Sequence, residues 1–373
     1  MVLNINKILA QKLADRLGRS ATKLELLPRI KVLGKNLPEL TKSEKESILS
    51  AWDNIGNGII NLEYWRFYKA LNEGVVNPFI VPDNLYWSRI IRALNPVSFT
   101  RTYINKSLYP IIFREINQPD VLLNVINGIP YDGRMNHTTI SEAISILNNS
   151  ETDFIIKPTV ATSGGHGVSK IKNGTSSTEI SKIPSSYGQN FICQRAVKQS
   201  PSTAIFNESS LNTFRVNTIN LNGKVTCECL MMRHGQSGSI VDNFAVGGVV
   251  CGMTKNGHFT GTNFNTNLER LSNLPNGSRY IDISIPEISE VIEYAINSHQ
   301  KYMPHIGQAA WDFAIDMEGK PVMIEVNLML PGIVMEQLTS NGSIFGDRTE
   351  EVIKYAFNRN KTIKWTEFVG GWE

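Results

Sequence analysis

Hydrophobic and polar residues alternate along much of the second half of the chain, and this pattern predicts β-strands. Residues 211–259 form several such runs, separated by Asn-Gly turns. Residues 311–327, WDFAIDMEGKPVMIEVN, predict a further hairpin that turns at Glu318-Gly319. Apolar residues recur at helical spacing in residues 283–303, before this hairpin, and in residues 348–361, after it. These segments predict helices that cover β-sheets, and so an α+β fold.

The first 75 residues predict mainly helices, with breaks near Pro28, residues 34–38 and Gly56. The aromatic residues of NLEYWRFYKAL, residues 61–71, have the spacing of a helix that packs into a core. A chain of 373 residues is long enough for two or three domains with cores of their own.

Composition excludes several classes of protein. The formal net charge of +3 is too small to indicate a nucleic-acid partner, and no RNA-binding motif or zinc-finger spacing is present. No run approaches 18 apolar residues, so we expect no membrane span. The N-terminus lacks the apolar core and cleavage site of a secretory signal.

The four cysteines fall in or beside predicted strands, at positions 193, 227, 229 and 251. We interpret them as reduced core thiols, which favours a cytoplasmic protein. Cys227 and Cys229 lack the second pair of ligands that a zinc site needs.

The N-terminal segment predicts a basic amphipathic helix. Residues 1–45 contain ten Lys and Arg against four Asp and Glu. Such a helix can lie on an anionic membrane, here the inner face, although a domain helix with a solvated basic face explains the pattern as well.

The hairpin of residues 311–327 carries candidate metal ligands. Glu325 and Asn327 are two residues apart and so share a face, and the turn brings Asp312 opposite them. Carboxylate and amide oxygens suit Mg²⁺ held jointly with the phosphates of a nucleotide. The alternative is a hairpin whose carboxylates only face water.

Residues 153–171, DFIIKPTVATSGGHGVSKI, predict a phosphate-binding loop. Lys157 ends an apolar strand, a glycine-rich loop follows, and a second strand completes the unit. Glycines let backbone N–H groups approach a polyphosphate, and the lysine adds a positive charge. No GK[ST] motif is present, so this is not a P-loop. The predicted loop residues are Ser163, Gly164, Gly165 and Gly167.

Together these motifs resemble the ATP-grasp superfamily, and within it the sugar-transfer associated branch. The resemblance covers about residues 79–353 and rests on IIKPTVATSGGHGV, LNTFRVNTI, DNFAVGGVV and WDFAIDMEGKPVMIEVN. It implies two α/β lobes that clasp ATP. The chain would then divide into a helical region (1–78), a segment preceding the ATP-grasp core (79–150), a lobe with a glycine-rich lid (151–200) and a lobe with the metal site (201–373).

The resemblance also implies further ATP-binding residues. Lys106, ahead of a predicted amphipathic helix, matches a phosphate-contacting lysine of the family. Residues 189–197 have the form of the hinge strand, where backbone groups of Arg195 and Val197 would read the adenine. Gln194 stands where many relatives have glutamate.

Three residues of the second lobe are catalytic candidates. Arg215 and Arg233 lie on predicted strands, and arginines near these positions hold the transferring phosphoryl group or the acyl substrate in the family. Asn243, in DNFAVGG, fits an active-site loop. His166 and His234 are weaker candidates for proton transfer.

The activity that this resemblance implies is ATP- and Mg²⁺-dependent joining of a carboxylate to an amine through an acyl phosphate. The partners would be a small amine or amino acid and a carboxylate, with a uronic acid of a surface polysaccharide as the suggested acceptor. The alternatives are a ligase of soluble amino acids or peptides, a phosphotransferase, and a nucleotide-binding protein without ligase activity. The sequence does not indicate an oligomeric state.

Overall fold

The computed structural model describes residues 2–34, 37–52, 60–160, 165–236, 238–329 and 331–359. Its helices and strands form the α+β architecture that the hydrophobic pattern predicts. Within the described ranges no helix is long and apolar enough to cross a membrane.

A six-stranded antiparallel sheet forms the centre of the larger lobe, with strand order β11-β10-β6-β7-β8-β9. Its strands are β6 (Thr213–Leu221), β7 (Lys224–His234), β8 (Val249–Met253), β9 (Phe259–Phe264), β10 (Gln308–Ile315) and β11 (Pro321–Asn327). Every residue of β6 is buried, because layers of helices cover both faces of the sheet.

A five-stranded antiparallel sheet forms the smaller lobe, with strand order β2-β1-β5-β3-β4. Its strands are β1 (Val121–Ile126), β2 (Ile129–Asp132), β3 (Phe154–Pro158), β4 (Ser169–Ile171) and β5 (Phe191–Arg195). Strands β1 and β2 form a hairpin. The positive φ angles of Asn127 (51°) and Gly128 (80°) make its tight turn.

The helices in chain order are α1 (Val2–Leu33), α2 (Lys42–Ala51), α3 (Glu63–Leu71), α4 (Asp83–Leu85), α5 (Ile91–Leu94), α6 (Val97–Thr100), α7 (Tyr109–Ile112), α8 (Ile140–Asn148), α9 (Ser177–Ile180), α10 (Ile183–Tyr187), α11 (Pro201–Ala204), α12 (Ile288–Tyr302), α13 (Val334–Ser340) and α14 (Thr349–Arg359). A π-helical segment, Tyr86–Ile90, joins α4 to α5. Short 3₁₀ turns occur at Lys106–Leu108, Phe244–Val246, Tyr280–Asp282 and Gly346–Arg348.

Three hydrophobic clusters hold these layers together. The first joins the N-terminal helices, α13 and α14 to one face of the large sheet, and includes the aromatic side chains predicted for α3. The second packs α12 on the opposite face of that sheet. The third lies between the small sheet and α8 to α10. The four cysteines are buried free thiols.

Helix α1 contradicts the predicted break at Pro28, because it continues through the proline to Leu33. A proline inside a helix removes one hydrogen bond and crowds the preceding turn. Here the Arg29 guanidinium donates to the Glu25 carbonyl, and Leu26 is fully buried. Side-chain bonding and tertiary packing therefore outweigh the cost of the proline.

Candidate active site between the two lobes

A cleft of about 430 Å³ lies between the two sheets. Most of the residues predicted from the sequence line it, although they come from segments far apart in the chain. The predicted residues that line the cleft are Lys106, Lys157, Gly165, Gln194, Arg195, Val197, Arg215, Arg233, Asn243, Asp312, Glu325 and Asn327.

The glycine-rich loop is described only from Gly165 onward, so Ser163 and Gly164 lie outside the described residues. Gly165 lines the cleft and Gly167 does not. Both have φ of +75°, a backbone conformation that favours glycine. A Cβ at Gly167 would lie 2.8 Å from Cγ of Pro158, which couples the loop to the end of β3.

Two lysines form the positive end of the cleft. The backbone N–H of Lys106 donates to the carbonyl of Thr159 at 3.2 Å, which places Lys106 beside the end of the Lys157 strand. Burial and the neighbouring Lys106 lower the pKa of Lys157 to about 8. Among the described residues, no carboxylate lies within ion-pair distance of the Lys157 ammonium. Such a partly buried cation fits an anionic ligand such as a phosphate.

Lys106 was predicted to precede an amphipathic helix. Instead it begins a 3₁₀ turn that leads into α7, a helix of only four residues. Its ammonium lies 3.1 Å from the Glu325 carboxylate, so the lysine bridges the two lobes.

The β10–β11 hairpin brings the three predicted metal ligands together. Asp312 pairs with Glu325 across the strands, and Asn327 lies two residues further along β11. The Asn327 amide donates to Asp312 Oδ2 at 3.3 Å. These oxygens fit a magnesium site in their chemistry.

Asp312 is, however, not an open ligand in this arrangement. Arg215 lies directly across from it on β6 and donates through Nε (2.5 Å) and Nη2 (3.0 Å), while Arg233 Nη2 lies 3.1 Å from Oδ2. Burial raises the pKa of Asp312, but the two guanidinium groups outweigh it and hold the pKa below its usual value. No group of three acidic, histidine or cysteine side chains suited to a metal occurs in the described part of the chain. Glu325 is ion-paired with Lys106 and Asp312 with two arginines, so a metal at this hairpin would have to displace these cations from both carboxylates.

The sequence did not predict three further members of this polar network. Glu336 on α13 accepts from Arg215 Nη1 at 3.2 Å, and Asp242 accepts a hydrogen bond from Thr213. Arg233 donates to the same threonine hydroxyl at 2.8 Å and lies 3.7 Å from Asp242.

The environments of the Glu336 and Asp242 carboxyls change their pKa values. Burial raises the pKa of Glu336 and of Asp242, and their arginine neighbours offset only part of the rise. The one sequence signal for Glu336 is an acidic residue that directly follows three apolar ones, in IVMEQL, residues 333–338.

The predicted hinge strand is β5, which lies in the middle of the small sheet. The N–H of Arg195 already donates to the carbonyl of Asp120 at 2.8 Å, so this donor is not available to an adenine ring. The Gln194 side chain donates to the carbonyl of Pro119 at 3.2 Å. The adenine contacts of Val197 stay a prediction.

Two of the three further candidates, Asn243 and His234, have structural partners. The Asn243 side chain accepts from the N–H of Ala245 at 2.8 Å and so caps a 3₁₀ turn. His234 is buried between the carbonyl of Gly235 and the Tyr280 hydroxyl, and burial lowers its pKa to about 4. His166 lines the cleft.

The two-lobed fold and its cleft place the protein among the ATP-grasp proteins. A profile described as sugar-transfer associated ATP-grasp matches residues 87–354, which is more than half of the chain. The chain belongs to that family, and the predicted family and fold class are confirmed.

Distant structural similarity extends to several ligases and a carboxylase. The D-alanine-D-alanine ligase of Coxiella burnetii is 12% identical over 72% of this chain and 61% of that chain, with a TM-score of 0.42. An L-amino acid ligase of Bacillus licheniformis is 13% identical over 89% and 64%, with a TM-score of 0.41. Biotin carboxylase of Campylobacter jejuni is 14% identical over 70% and 48%, with a TM-score of 0.45.

The chain thus spans less than two thirds of the length of each of these three proteins. A search of the curated proteins gave no match.

Proposed function

We propose that this protein is an ATP- and Mg²⁺-dependent ligase that joins a carboxylate to an amine, with a uronic acid of a surface polysaccharide as the acid. The observation that carries the proposal is the charge arrangement of the cleft. Lys157 holds an ammonium group without an anionic partner among the described residues, and it faces the Glu325 and Asp312 hairpin across the same cleft.

Different residues of the cleft would bind the phosphates, hold the metal and stabilise the transferring group. Lys106, Lys157 and the glycine loop would bind the phosphates of ATP, and Glu325 and Asn327 would hold magnesium, which neutralises phosphate oxygens. Asp312 would supply a third oxygen ligand once phosphates draw the arginines away from it. Arg215 and Arg233 then stabilise negative charge on the transferring group.

The reaction needs no nucleophile from the protein. An oxygen of the substrate carboxylate attacks the γ-phosphorus, and ADP leaves. The amine nitrogen then attacks the acyl carbon, phosphate leaves, and the nitrogen loses a proton to give the amide. The protein positions the reactants and keeps water from the acyl phosphate.

The family name supports the link to sugar transfer and so the choice of a glycan carboxylate. Contact with a membrane is a further proposal that rests on the basic charge of the first 45 residues.

The test is magnesium-dependent ADP release from a panel of amines and amino acids, with and without uronic acids and oligosaccharides that contain them. A ligase releases ADP only when both an acid and an amine are present, and mass spectrometry detects the amide. ADP release with a hydroxyl acceptor and no amine would instead identify a phosphotransferase. Tight ATP binding without turnover in any combination would contradict the proposal.

A further inference from the structure

Helix α1 precedes the part of the chain that matches the family, residues 87–354, yet it contributes two charged side chains to the cleft. These are Glu25 and Arg29, one helical turn apart on the same face. Beside them the cleft is lined by Phe244, from the loop between β7 and β8, and by Val334, Met335 and Glu336 of α13. We call these six residues the α1 end of the cleft.

Helix α1 is fixed against the rest of the fold. A Cβ at the buried Gly18 would lie 2.4 Å from the carbonyl oxygen of Asn84, so the helix backbone approaches α4 closely. Thr22 donates to Asp83 at 2.9 Å, and Asp15 lies 2.7 Å from Arg89. These contacts hold Glu25 and Arg29 in place at the cleft.

The α1 end carries both signs of charge. Glu25 Oε2 lies 2.8 Å from Arg29 Nη1. Glu336 lines the same cleft and is paired with Arg215 Nη1 at 3.2 Å, and burial and, to a smaller extent, the Glu25 carboxylate raise its pKa. The Arg29 guanidinium carbon lies 5.9 Å from the centre of the Phe244 ring. Its Nε is buried and has no hydrogen-bond acceptor among the described residues.

This pattern differs from the part of the cleft lined by Lys106 and Lys157, which suits phosphates. A simple amine would satisfy only the carboxylates, and a dicarboxylate would meet repulsion from them. An α-amino acid carries an ammonium and a carboxylate on the same carbon, which complements a neighbouring glutamate and arginine.

Resting on the ligase function proposed above, we propose that the α1 end binds the amine substrate and that this substrate is an amino acid with an apolar side chain. Its ammonium lies between Glu25 and Glu336, its carboxylate replaces Glu25 as a partner of Arg29, and its side chain packs against Phe244 and Met335. Glu25 and Arg29 are thus residues that determine specificity for the amine substrate.

The experiment measures equilibrium binding to the full-length protein by calorimetry, with magnesium and a non-hydrolysable ATP analogue present. The probes are leucine and phenylalanine, each compared with its decarboxylated counterpart, isopentylamine and phenethylamine. We expect both amino acids to bind at least about tenfold more tightly than the matching amines, the factor that one lost charge-assisted hydrogen bond accounts for.

Two variants test the roles of the Glu25 and Arg29 charges separately. Glu25→Gln should weaken the binding of amino acids and amines alike, whereas Arg29→Gln should weaken the binding of amino acids but not that of the amines. The matched controls are Glu46→Gln on α2 and Lys31→Gln on α1, exposed charges that do not line the cleft. Thermal unfolding and binding of the ATP analogue establish that each variant is folded.

Equal affinity for an amino acid and its amine, unchanged binding in Glu25→Gln, or no binding of any probe would overturn the proposal. The ADP assay tests ligase function separately. Amino acids that bind through Glu25 and Arg29 without any ADP release would contradict the ligase and leave this subsite standing. Amide formation at the wild-type rate in both variants would support the ligase function and contradict this subsite.

Discussion

Arg215 holds Asp312 through two parallel hydrogen bonds, Nε to Oδ1 at 2.5 Å and Nη2 to Oδ2 at 3.0 Å. The two residues face each other on adjacent strands, and both are buried. Burial lowers the pKa of Arg215, but Asp312 and Glu336 raise it by more, so the guanidinium stays charged. The arginine therefore couples the candidate metal ligand to α13.

We predict that Arg215→Met strongly destabilises the protein. It leaves the Asp312 and Glu336 carboxyls buried beside fewer positive charges, and breaking a buried pair in this way costs about 3–5 kcal/mol. Urea unfolding measures the loss. Arg279→Met, which removes an exposed ion pair with Asp282, serves as the control and should change stability little. An Arg215→Met protein as stable as the control would show that the network contributes nothing.

The lowered pKa of Lys157 predicts that nucleotide binding depends on pH. Only the protonated lysine attracts phosphate, so the affinity for Mg-ATP should fall by up to about tenfold between pH 7 and pH 9 as the group titrates near 8. Lys157→Met should bind weakly and lose this dependence, whereas Lys172→Met, at an exposed position, should keep it. Fluorescence titration with a labelled ATP analogue measures both. The same pH slope in wild type and Lys157→Met would rule out the lysine as its source.

The lowered pKa of Lys157 also predicts how the stability of the fold depends on pH. Because folding lowers the pKa of Lys157 from 10.5 to about 8, the unfolded chain binds more protons between these pH values, and this lysine makes stability rise with pH across that window. The destabilisation that comes from holding the protonated lysine in the folded protein is fully present below pH 8. Lys157→Met should therefore unfold at a urea concentration no lower than wild type at pH 7, and a lower midpoint would contradict the assignment.

Glu325→Ala tests the metal assignment. The side chain lies at the surface of the cleft, 29% exposed, so we expect a folded protein. Removal of a ligand to magnesium should lower the rate of ADP release by at least about a hundredfold. Glu318→Ala, at the exposed turn of the same hairpin, should retain the wild-type rate. Unchanged turnover in Glu325→Ala would exclude this residue as a metal ligand.

Gly167→Ala tests the glycine loop. Alanine at a positive φ costs about 1–2 kcal/mol, and here its Cβ would also press on Pro158. Gly174→Ala is a matched control, because Gly174 has φ of +83° and open space around its Cβ position. Only Gly167→Ala should weaken the binding of the ATP analogue. Equal effects of the two variants would mean that backbone strain alone, and not the position of the loop, is responsible.

Local patterns predicted the parts of this fold that depend on local chemistry. Alternating residues located β6, β7, β8, β10 and β11 but not β9, which follows the predicted run, and the Glu318-Gly319 turn determined which residues pair across β10 and β11. Motif spacing also placed most of the cleft residues, because Lys157 and Glu325 lie at strand ends that the family resemblance identifies.

The remaining features depend on contacts between distant segments. Glu336 accepts a hydrogen bond from Arg215, although the two residues are 121 positions apart in the sequence. Glu25 lines the cleft from a helix that carries no recognisable motif. The occupation of Asp312 by two arginines and of the Arg195 N–H by Asp120 follows from three-dimensional packing, which residue type alone does not encode. Pro28 was misjudged because propensity was weighed without the buried contacts of α1.

The central claim is ligation through an acyl phosphate, and isotope transfer tests it most directly. The acid of the pair that sustains ADP release is labelled with ¹⁸O in its carboxyl group, and the inorganic phosphate is analysed by mass spectrometry. We predict one ¹⁸O atom in each phosphate released, because a carboxylate oxygen attacks phosphorus and leaves with it when the amide forms. Unlabelled phosphate would contradict the account, since the carboxylate would then never have been phosphorylated.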